Sequence, residues 1–190
     1  MDAITLLKQD HKTVEKLFKQ FEKSIRPAEQ RKLAQKVIRE LSVHAAIEEM
    51  VFYPAVRGRV PKTEDTVLES LEEHHVVKWV LSELEDMAPD HERFKAKMTV
   101  LIESVRHHVK EEESELFPDV RKEIRRKELA DLGSALEKAK KTAPTRPHPR
   151  GPDTPPGNLV AGPAAAAVDT ASGAVGKATA KVKKAVGGKK

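Results

Sequence analysis

Apolar residues recur through residues 1–140 at the three- and four-residue spacing that places them on one face of a helix. The first such segment begins near Asp2, whose short acidic side chain suits a helix N-cap. Its apolar positions are Leu6, Leu7, Val14, Leu17, Phe18 and Phe21. No segment alternates between apolar and polar residues with a period of two, so the pattern predicts helices and no strands.

Prolines and short turns divide this region into four long helical segments and a shorter fifth. The stretch "RPAEQ" ends the first helix, and Pro27 suits the first turn of the second, which continues towards Pro54. The fourth helix is predicted to end at Phe117, before Pro118, and a fifth to follow near residues 123–140. Long helices joined by short turns predict an all-α protein, an antiparallel up-down four-helix bundle with a short fifth helix.

The remaining residues, 141–190, differ from the helical region in composition. They contain seven of the 12 prolines, seven of the nine glycines and no aromatic residue. They carry nine Lys/Arg against two Asp/Glu, whereas residues 1–140 carry 26 against 28. This composition predicts a disordered basic tail that follows a folded domain at residues 1–140, although its Ala/Lys-rich part could become helical on a partner. The tail is either a solvated extension or a contact for a polyanion such as nucleic acid, through Lys177, Lys181, Lys183 and Lys184.

Several classes of protein are excluded by what the chain lacks. It has no cysteine, and hence no disulfide, thiolate nucleophile or cysteine-ligated metal. No apolar run approaches the roughly 20 residues that span a bilayer. The N-terminal segment lacks the basic start and apolar core of a secretory signal. A cytoplasmic protein without membrane contact is therefore expected.

The chain contains an internal repeat. "HAAIEEMVFYP", residues 44–54, corresponds to "HVKEEESELFP", residues 108–118: each begins with His, has Glu four residues later and ends with Pro. The segments around His11 and His74 also align, and they precede these motifs by 33 and 34 residues. The sequence reads as two copies of one helical hairpin. Each copy supplies one His from its first helix and one His-x-x-x-Glu motif from its second.

These histidines and glutamates lie on the apolar faces of the predicted helices. His11, for example, has Val14 and Phe18 three and seven residues later. Residues i and i+4 of a helix are neighbours about 6 Å apart, so His44 and Glu48 can reach one point. Because an unpartnered buried carboxylate costs several kcal/mol, a metal ion is expected to hold it. The candidate ligands are His11, His44, Glu48, His74, His108 and Glu112.

Other interpretations apply to single residues. A lone buried His is usually hydrogen-bonded rather than metal-bound, and a lone Glu usually solvated. His107 competes with His108, because His107-x-x-x-Glu111 has the same spacing; the position relative to Pro118 and the apolar neighbours favour His108. Mixed imidazole and carboxylate ligands suit iron, with manganese or zinc as alternatives.

Together these motifs resemble those of the hemerythrin-like, or HHE cation-binding, proteins. The resemblance covers roughly residues 1–140 and implies a four-helix bundle with a non-haem di-iron centre bridged by carboxylates and by oxo or hydroxo groups. The ligands that it implies are His11 and His44 for one iron, His74 and His108 for the other, and Glu48 and Glu112 as bridges.

Two departures from the O2-carrying members affect the expected function. Those proteins have a fifth histidine one turn after the third-helix His, where this chain has Lys78. They also space the carboxylate of the last motif one residue further from its His than Glu112 is here. The resemblance therefore implies a protein that decomposes H2O2 as a catalase or peroxidase. The alternative is a module that binds or senses O2, NO or iron without turnover.

Tyr53 is a candidate for an additional ligand or a residue that tunes the site. It is the sole tyrosine, and a phenolate can bind ferric iron. In an ideal helix it lies about half a turn away from the face of His44 and Glu48, unless the helix is distorted near Pro54. Packing in the core or at the surface is the alternative role.

Overall fold

The computed structural model describes the backbone of residues 1–186 and the side chains of residues 1–171. Within these residues the chain is helical and has no strands. Its α-helices are α1 (Ala3–Lys23), α2 (Pro27–Ile47), α3 (Tyr53–Arg57), α4 (Glu64–Asp86), α5 (Phe94–Glu111), α6 (Phe117–Glu123), α7 (Arg126–Lys140) and α8 (Gly157–Val186). Two π-helical turns, Glu48–Phe52 and Glu112–Leu116, connect α2 to α3 and α5 to α6.

The start of α1 follows the sequence prediction, because the Asp2 carboxylate accepts a hydrogen bond of 2.9 Å from the backbone N–H of Thr5. The prediction that the fourth helix ends before Pro118 is wrong. Pro54 and Pro118 instead lie in the first turns of α3 and α6, each directly after a π-helical turn. A proline is tolerated there because its missing N–H is not required at the beginning of a helical segment.

The helices pack as a bundle in which α1 contacts α2, α4 contacts α5, and α2 contacts α4. Helix α7 lies against α1 and the first π-helical turn. The up-down order of the four long helices stays a prediction. None of the helices in residues 1–186 combines the length and apolar character needed to cross a membrane.

Two apolar clusters form the core, and the predicted ligand residues lie between them. Members of the first cluster include Leu7, Ile47, Phe52, Leu71, Phe117 and Val120. Members of the second include Val14, Phe18, Leu41, Val77, Leu101 and Val105. His11 thus separates Leu7 of the first cluster from Val14 of the second. The core is two apolar layers with a polar layer between them.

The segment after residue 140 differs from the predicted disordered tail. Residues 157–186 form α8, in keeping with the high helix propensity of their many alanines. Asp169 of α8 is buried and accepts hydrogen bonds from the backbone N–H groups of Thr145 and Arg146. Asn158 donates to the backbone carbonyl of Glu49 in the bundle, at 2.9 Å. The composition of this segment did not reveal these few polar contacts.

The prediction for residues 187–190 lies outside the described part of the chain. The predicted polyanion contact depends on lysine side chains at positions 177–184, which also lie outside it. That contact stays a prediction.

Gly133 in α7 is expected to resist replacement. A Cβ atom added there would lie 2.2 Å from the Met1 carbonyl oxygen and 2.9 Å from the Ala3 nitrogen. Gly→Ala inside a helix normally stabilises by roughly 0.5–1 kcal/mol, but overpacking costs about 1–3 kcal/mol. We therefore expect Gly133→Ala to lower the urea midpoint of unfolding. Ser134→Ala, at the adjacent exposed position, is the control, and an unchanged midpoint for Gly133→Ala would contradict the close packing of α1 on α7.

Candidate metal centre

All six predicted ligand residues meet in the polar layer. The four histidines are buried, and the side chains of Glu48 and Glu112 are 0% exposed. His44 lies in the last turn of α2 and Glu48 begins the π-helical turn, so the i, i+4 spacing directs both inward. His108 and Glu112 repeat this arrangement at the end of α5.

The histidines form two pairs through their Nε2 atoms. The Nε2 atoms of His11 and His44 are 3.2 Å apart. Those of His74 and His108 are 3.3 Å apart. Each pair combines one histidine from the first helix of a hairpin with one from the second. These are the pairs that the family resemblance implied.

Each glutamate contributes one oxygen that lies between the two histidine pairs. Glu48 Oε2 is 3.2 Å from His44 Nε2 and 3.5 Å from His74 Nε2. Glu112 Oε2 is 3.3 Å from His11 Nε2 and 3.7 Å from His108 Nε2. The donor atoms of His11, His44, Glu48 and Glu112 form one group that could hold a metal ion, and those of Glu48, His74 and His108 form a second.

The electrostatics of the layer fit a bound cation. Both carboxylate oxygens of Glu48, and Oε2 of Glu112, are buried without a hydrogen-bond partner. Burial, followed by the negative charge of Glu112, raises the pKa of the Glu48 carboxyl well above its ordinary value. Burial also lowers the pKa of His44 to about 4, which favours the neutral imidazole that binds metals. A cation between these groups would offset the cost of burying them.

A carboxylate lies at the Nδ1 atom of every one of the four histidines. The pairs and their distances are Glu113 with His11 at 2.9 Å, Asp10 with His44 at 3.5 Å, Glu49 with His74 at 3.1 Å and Glu73 with His108 at 2.7 Å. Such partners fix the tautomer and orientation of metal-binding histidines, leaving Nε2 as the donor. The long Asp10 contact is an ion-pair distance only, since His44 Nδ1 makes no hydrogen bond.

Sequence reasoning missed these outer carboxylates, although a signal was present. Asp10 and Glu73 each precede a first-helix histidine, and Glu49 and Glu113 each follow a motif glutamate. The acids are therefore repeated together with the ligands. Each, however, contacts a histidine on a different helix, so sequence adjacency did not reveal its partner.

Lysines hold three of the outer carboxylates. Lys140 Nζ is 2.5 Å from Asp10, and Lys8 Nζ is 3.0 Å from Glu113. Lys78, at the position of the absent fifth histidine, donates to Glu49 at 2.7 Å. Burial raises the pKa of the Asp10 carboxyl, but the nearby His44 and the hydrogen bond from Lys140 outweigh it and lower the pKa. Because Lys78 donates to Glu49, it stabilises the carboxylate that orients His74.

Tyr53 lies at the site rather than half a turn away from it. Its hydroxyl donates to Glu112 Oε1 at 3.0 Å and lies 3.5 Å from His74 Nε2. The π-helical turn explains the difference, because its i→i+5 hydrogen bond joins the Tyr53 N–H to the Glu48 carbonyl. With this wider turn, residue i+5 returns to the face of residue i. Burial, followed by the charges of Glu112 and Glu48, raises the pKa of the Tyr53 phenol.

The other copy of the hairpin has Phe117 at the corresponding position. The Phe117 ring stacks on His11, with ring centres 5.9 Å apart and planes inclined by 6°. At this position, one half of the site thus has a hydroxyl group that the other half lacks.

His107 lies on the surface. Its side chain is 63% exposed and lies 3.2 Å from Glu111. Together with Glu73 these residues could also hold a metal ion, but Glu73 contacts His108. Outside the polar layer, His75 accepts a hydrogen bond from Trp79, and His148 lies beside Asp169.

Comparison with known proteins identifies the family. The family model of the hemerythrin HHE cation-binding domain matches residues 2–120, more than half of the chain. The chain belongs to the hemerythrin HHE cation-binding family. A crystal structure of an HHE cation-binding domain-containing protein from Mycobacterium kansasii has a similar fold, with a TM-score of 0.63 at 22% identity. That similarity covers 74% of this chain and 86% of the other.

Two curated relatives match this chain at higher identity. An uncharacterised hemerythrin-like protein of Schizosaccharomyces pombe is 33% identical over 131 residues, which are 68% of this chain and 64% of that protein. A protein of Nostoc sp. described as a DNA nickase is 27% identical over 140 residues, which are 74% of this chain and 39% of that protein. This chain therefore corresponds to less than two thirds of either relative.

A small gap adjoins the histidines of the HHE domain. Its volume is about 20 Å³, and all four histidines line it. Its apolar wall consists of Val14, Leu41, Ala45, Val77, Val105 and Val109. A cavity needs about 10–15 Å³ to hold one water molecule. The gap therefore has room for one molecule of that size.

Proposed function

We propose that residues 1–140 hold two iron ions and decompose H2O2. The observation that supports this most strongly is the position of the two glutamate oxygens. Each approaches an Nε2 atom of both histidine pairs, within 3.7 Å. Two ions that share carboxylate ligands require this arrangement of donors, whereas a single ion would leave one histidine pair without a role.

His11 and His44 would hold one iron, His74 and His108 the other, and Glu48 and Glu112 would bridge them. Two adjacent irons, when bound, would supply two-electron chemistry that reduces one H2O2 to water and oxidises a second to O2. The outer carboxylates at Nδ1 would keep each imidazole in the tautomer that presents Nε2 to the metal.

The surroundings of the site favour a small substrate. The gap beside the histidines is about 20 Å³ in volume and its other walls are mainly apolar. An organic substrate could not enter without displacing the core valines. H2O2, O2 and NO are small enough, and dense apolar packing on both sides would keep bulk water away.

Tyr53 is proposed to tune the site by holding a proton. Its raised pKa keeps the phenol protonated, and the hydroxyl donates to Glu112 Oε1. The hydroxyl is therefore placed to donate a hydrogen bond to Glu112 or to a ligand in the polar layer. Direct coordination is the alternative, and it would require loss of that proton.

Iron-loaded protein is expected to release O2 from H2O2 over many turnovers, one O2 for every two H2O2 consumed. An oxygen electrode measures this, with metal-free protein as the control. Tyr53→Phe, which reproduces the Phe117 side of the site, is expected to slow release about 10-fold or more if the phenol transfers a proton. Loss of a tyrosinate-to-iron absorption band in that variant would instead indicate coordination.

The alternative function is binding or sensing of O2, NO or iron without turnover. The same residues would hold the metal, so turnover separates the two functions. The Lys78–Glu49 contact favours catalysis, because an ammonium group stands where O2 carriers have another imidazole ligand. Absence of O2 release from protein with two irons bound would favour the alternative.

A further inference from the structure

A groove about 900 Å³ in volume runs along the outside of the bundle between α1 and α5. Its apolar floor contains Val14, Phe18, Val105 and Val109, and its inner end reaches His11. The groove is therefore next to one of the two histidine pairs.

Cations surround this groove. Its walls include Lys12, Lys16, Lys19, Lys23, Arg106 and Lys110 against two acids, Glu15 and Glu113. Lys19 and Arg106 form ion pairs with Glu15. Among the side chains that the structure describes, the other four lysines have no carboxylate partner. Because residues 1–140 carry a small net negative charge, the groove is a local positive region on a mildly acidic domain.

The groove and the gap beside the metal centre have a common wall. His11, Val14, Val105 and Val109 line both of them. One layer of side chains, which includes His11 and the half-buried Val109, therefore separates the groove from the gap. On another side, a second groove of about 480 Å³ reaches Glu49, Lys78 and Asn158 but is lined by none of the four histidines. The two apolar clusters close it above and below.

We propose that small inorganic anions reach the metal centre through this groove, between Val14, Val105 and Val109, and that the groove lysines accelerate their entry. This inference rests on the proposed metal-binding function and adds a substrate class to it. Superoxide and nitrite belong to that class, which is defined by one negative charge and at most three heavy atoms. A neutral ligand uses the same opening without acceleration.

The expected size of the effect follows from the charge arrangement. A cleft lined by charges of one sign, with low-dielectric walls, raises the association rate of an oppositely charged ligand by 10–10³-fold. Salt screens exposed charges over about 10 Å at 0.1 M, so the acceleration is expected to decrease with ionic strength. The valine layer limits the size of the ligand and disfavours charge, so the acceleration is expected during the approach along the groove rather than during passage through the layer.

The test uses azide, a three-atom anion, and the iron-loaded full-length protein. Stopped-flow absorbance gives the azide association rate, which should decrease with added salt. Replacing Lys12, Lys16, Lys23 and Lys110 by Gln should lower the low-salt rate about 10-fold and flatten its salt dependence. The control replaces Lys32, Lys36, Arg39 and Lys95 by Gln, an equal change in net charge away from the groove. Equal slowing in both variants would overturn the proposal.

A second comparison tests the route. Val105 lines both groove and gap, whereas Val77 lines the gap only. Val105→Ala should increase the association rates of azide and of NO several-fold, and Val77→Ala should leave them near wild type. If the two variants behave alike, ligands enter elsewhere. Iron content is measured in every sample, so protein without iron would contradict the metal-binding function itself, whereas salt-independent azide binding to iron-loaded protein would contradict only this inference.

Discussion

His108→Ala is expected to lose at least one of two bound irons, whereas His107→Ala keeps both. His108 Nε2 lies in the polar layer, 3.3 Å from His74 Nε2, while His107 is mainly exposed. Removing one imidazole from a two-histidine subsite leaves too few donors and a buried vacancy beside Glu112. Iron per chain, measured by elemental analysis after loading and desalting, checks the difference.

The adjacent histidines form a matched pair, because both lie in α5 and both are followed by Glu four residues later. Far-ultraviolet circular dichroism would establish that each variant is folded. Glu48→Ala extends the test to a proposed bridging residue, and both subsites are expected to weaken. Two irons retained by His108→Ala or by Glu48→Ala would contradict the ligand assignment.

Glu48→Gln is expected to have opposite effects on the stability of the metal-free and metal-loaded protein. Without metal, both oxygens of this fully buried carboxyl have no partner, so at a pH at which it is ionised a neutral amide should increase the free energy of unfolding by about 1–2 kcal/mol. With metal, an amide is a poorer ligand. The stabilisation by metal, about 4 kcal/mol at a free concentration 1,000 times the Kd, should largely disappear.

Thermal unfolding of chelated and iron-loaded protein measures both effects. For the wild type, removing the metal should lower Tm by roughly 10 °C, because 1 kcal/mol corresponds to about 2–4 °C in a chain of this size. Glu115→Gln, at an exposed position in the second π-helical turn, is the control and should leave both values unchanged. Destabilisation of metal-free protein by Glu48→Gln would mean that the carboxylate is satisfied without a cation.

The helices and the convergence of the ligand residues were predictable because both depend on local periodicity. Positions i and i+4 face the same side, and the repeat of His11 and His44 at His74 and His108 defined one layer. A duplicated pattern indicates which helix faces point into the core, and this inference does not require the structure of the loops. That is why six residues far apart in sequence could be assigned to one place.

Features that depend on a change of helical register were not predictable. Tyr53 was expected away from the ligand face because an α-helix advances 100° per residue, but the π-helical turn returns it to that face. Pro118 was expected to end a helix because a proline in a helix interior lacks an N–H and clashes with the preceding turn, but it follows the second π-helical turn instead. Nothing in the composition of "EEMVF" or "EESEL" distinguishes a π-helical turn from an α-helical one.

Long-range polar contacts also could not be predicted from the sequence. The Pro-rich and Ala-rich segment was predicted to be disordered, yet Asn158 contacts the backbone of Glu49, and Asp169 holds the loop at Thr145 and Arg146. Each contact joins residues more than 20 positions apart. Patterns of composition describe average tendencies and carry no information about individual partners.

The paired π-helical turns give the site its asymmetry. A π-helical turn is an α-helical turn with one residue inserted, and in both hairpins it begins at the motif glutamate, four residues after the motif histidine. The wider turn brings the fifth residue after each glutamate to the face of the site, which is Tyr53 in one hairpin and Phe117 in the other. Two matching helical hairpins therefore present a hydrogen-bond donor to one histidine pair and an apolar ring to the other.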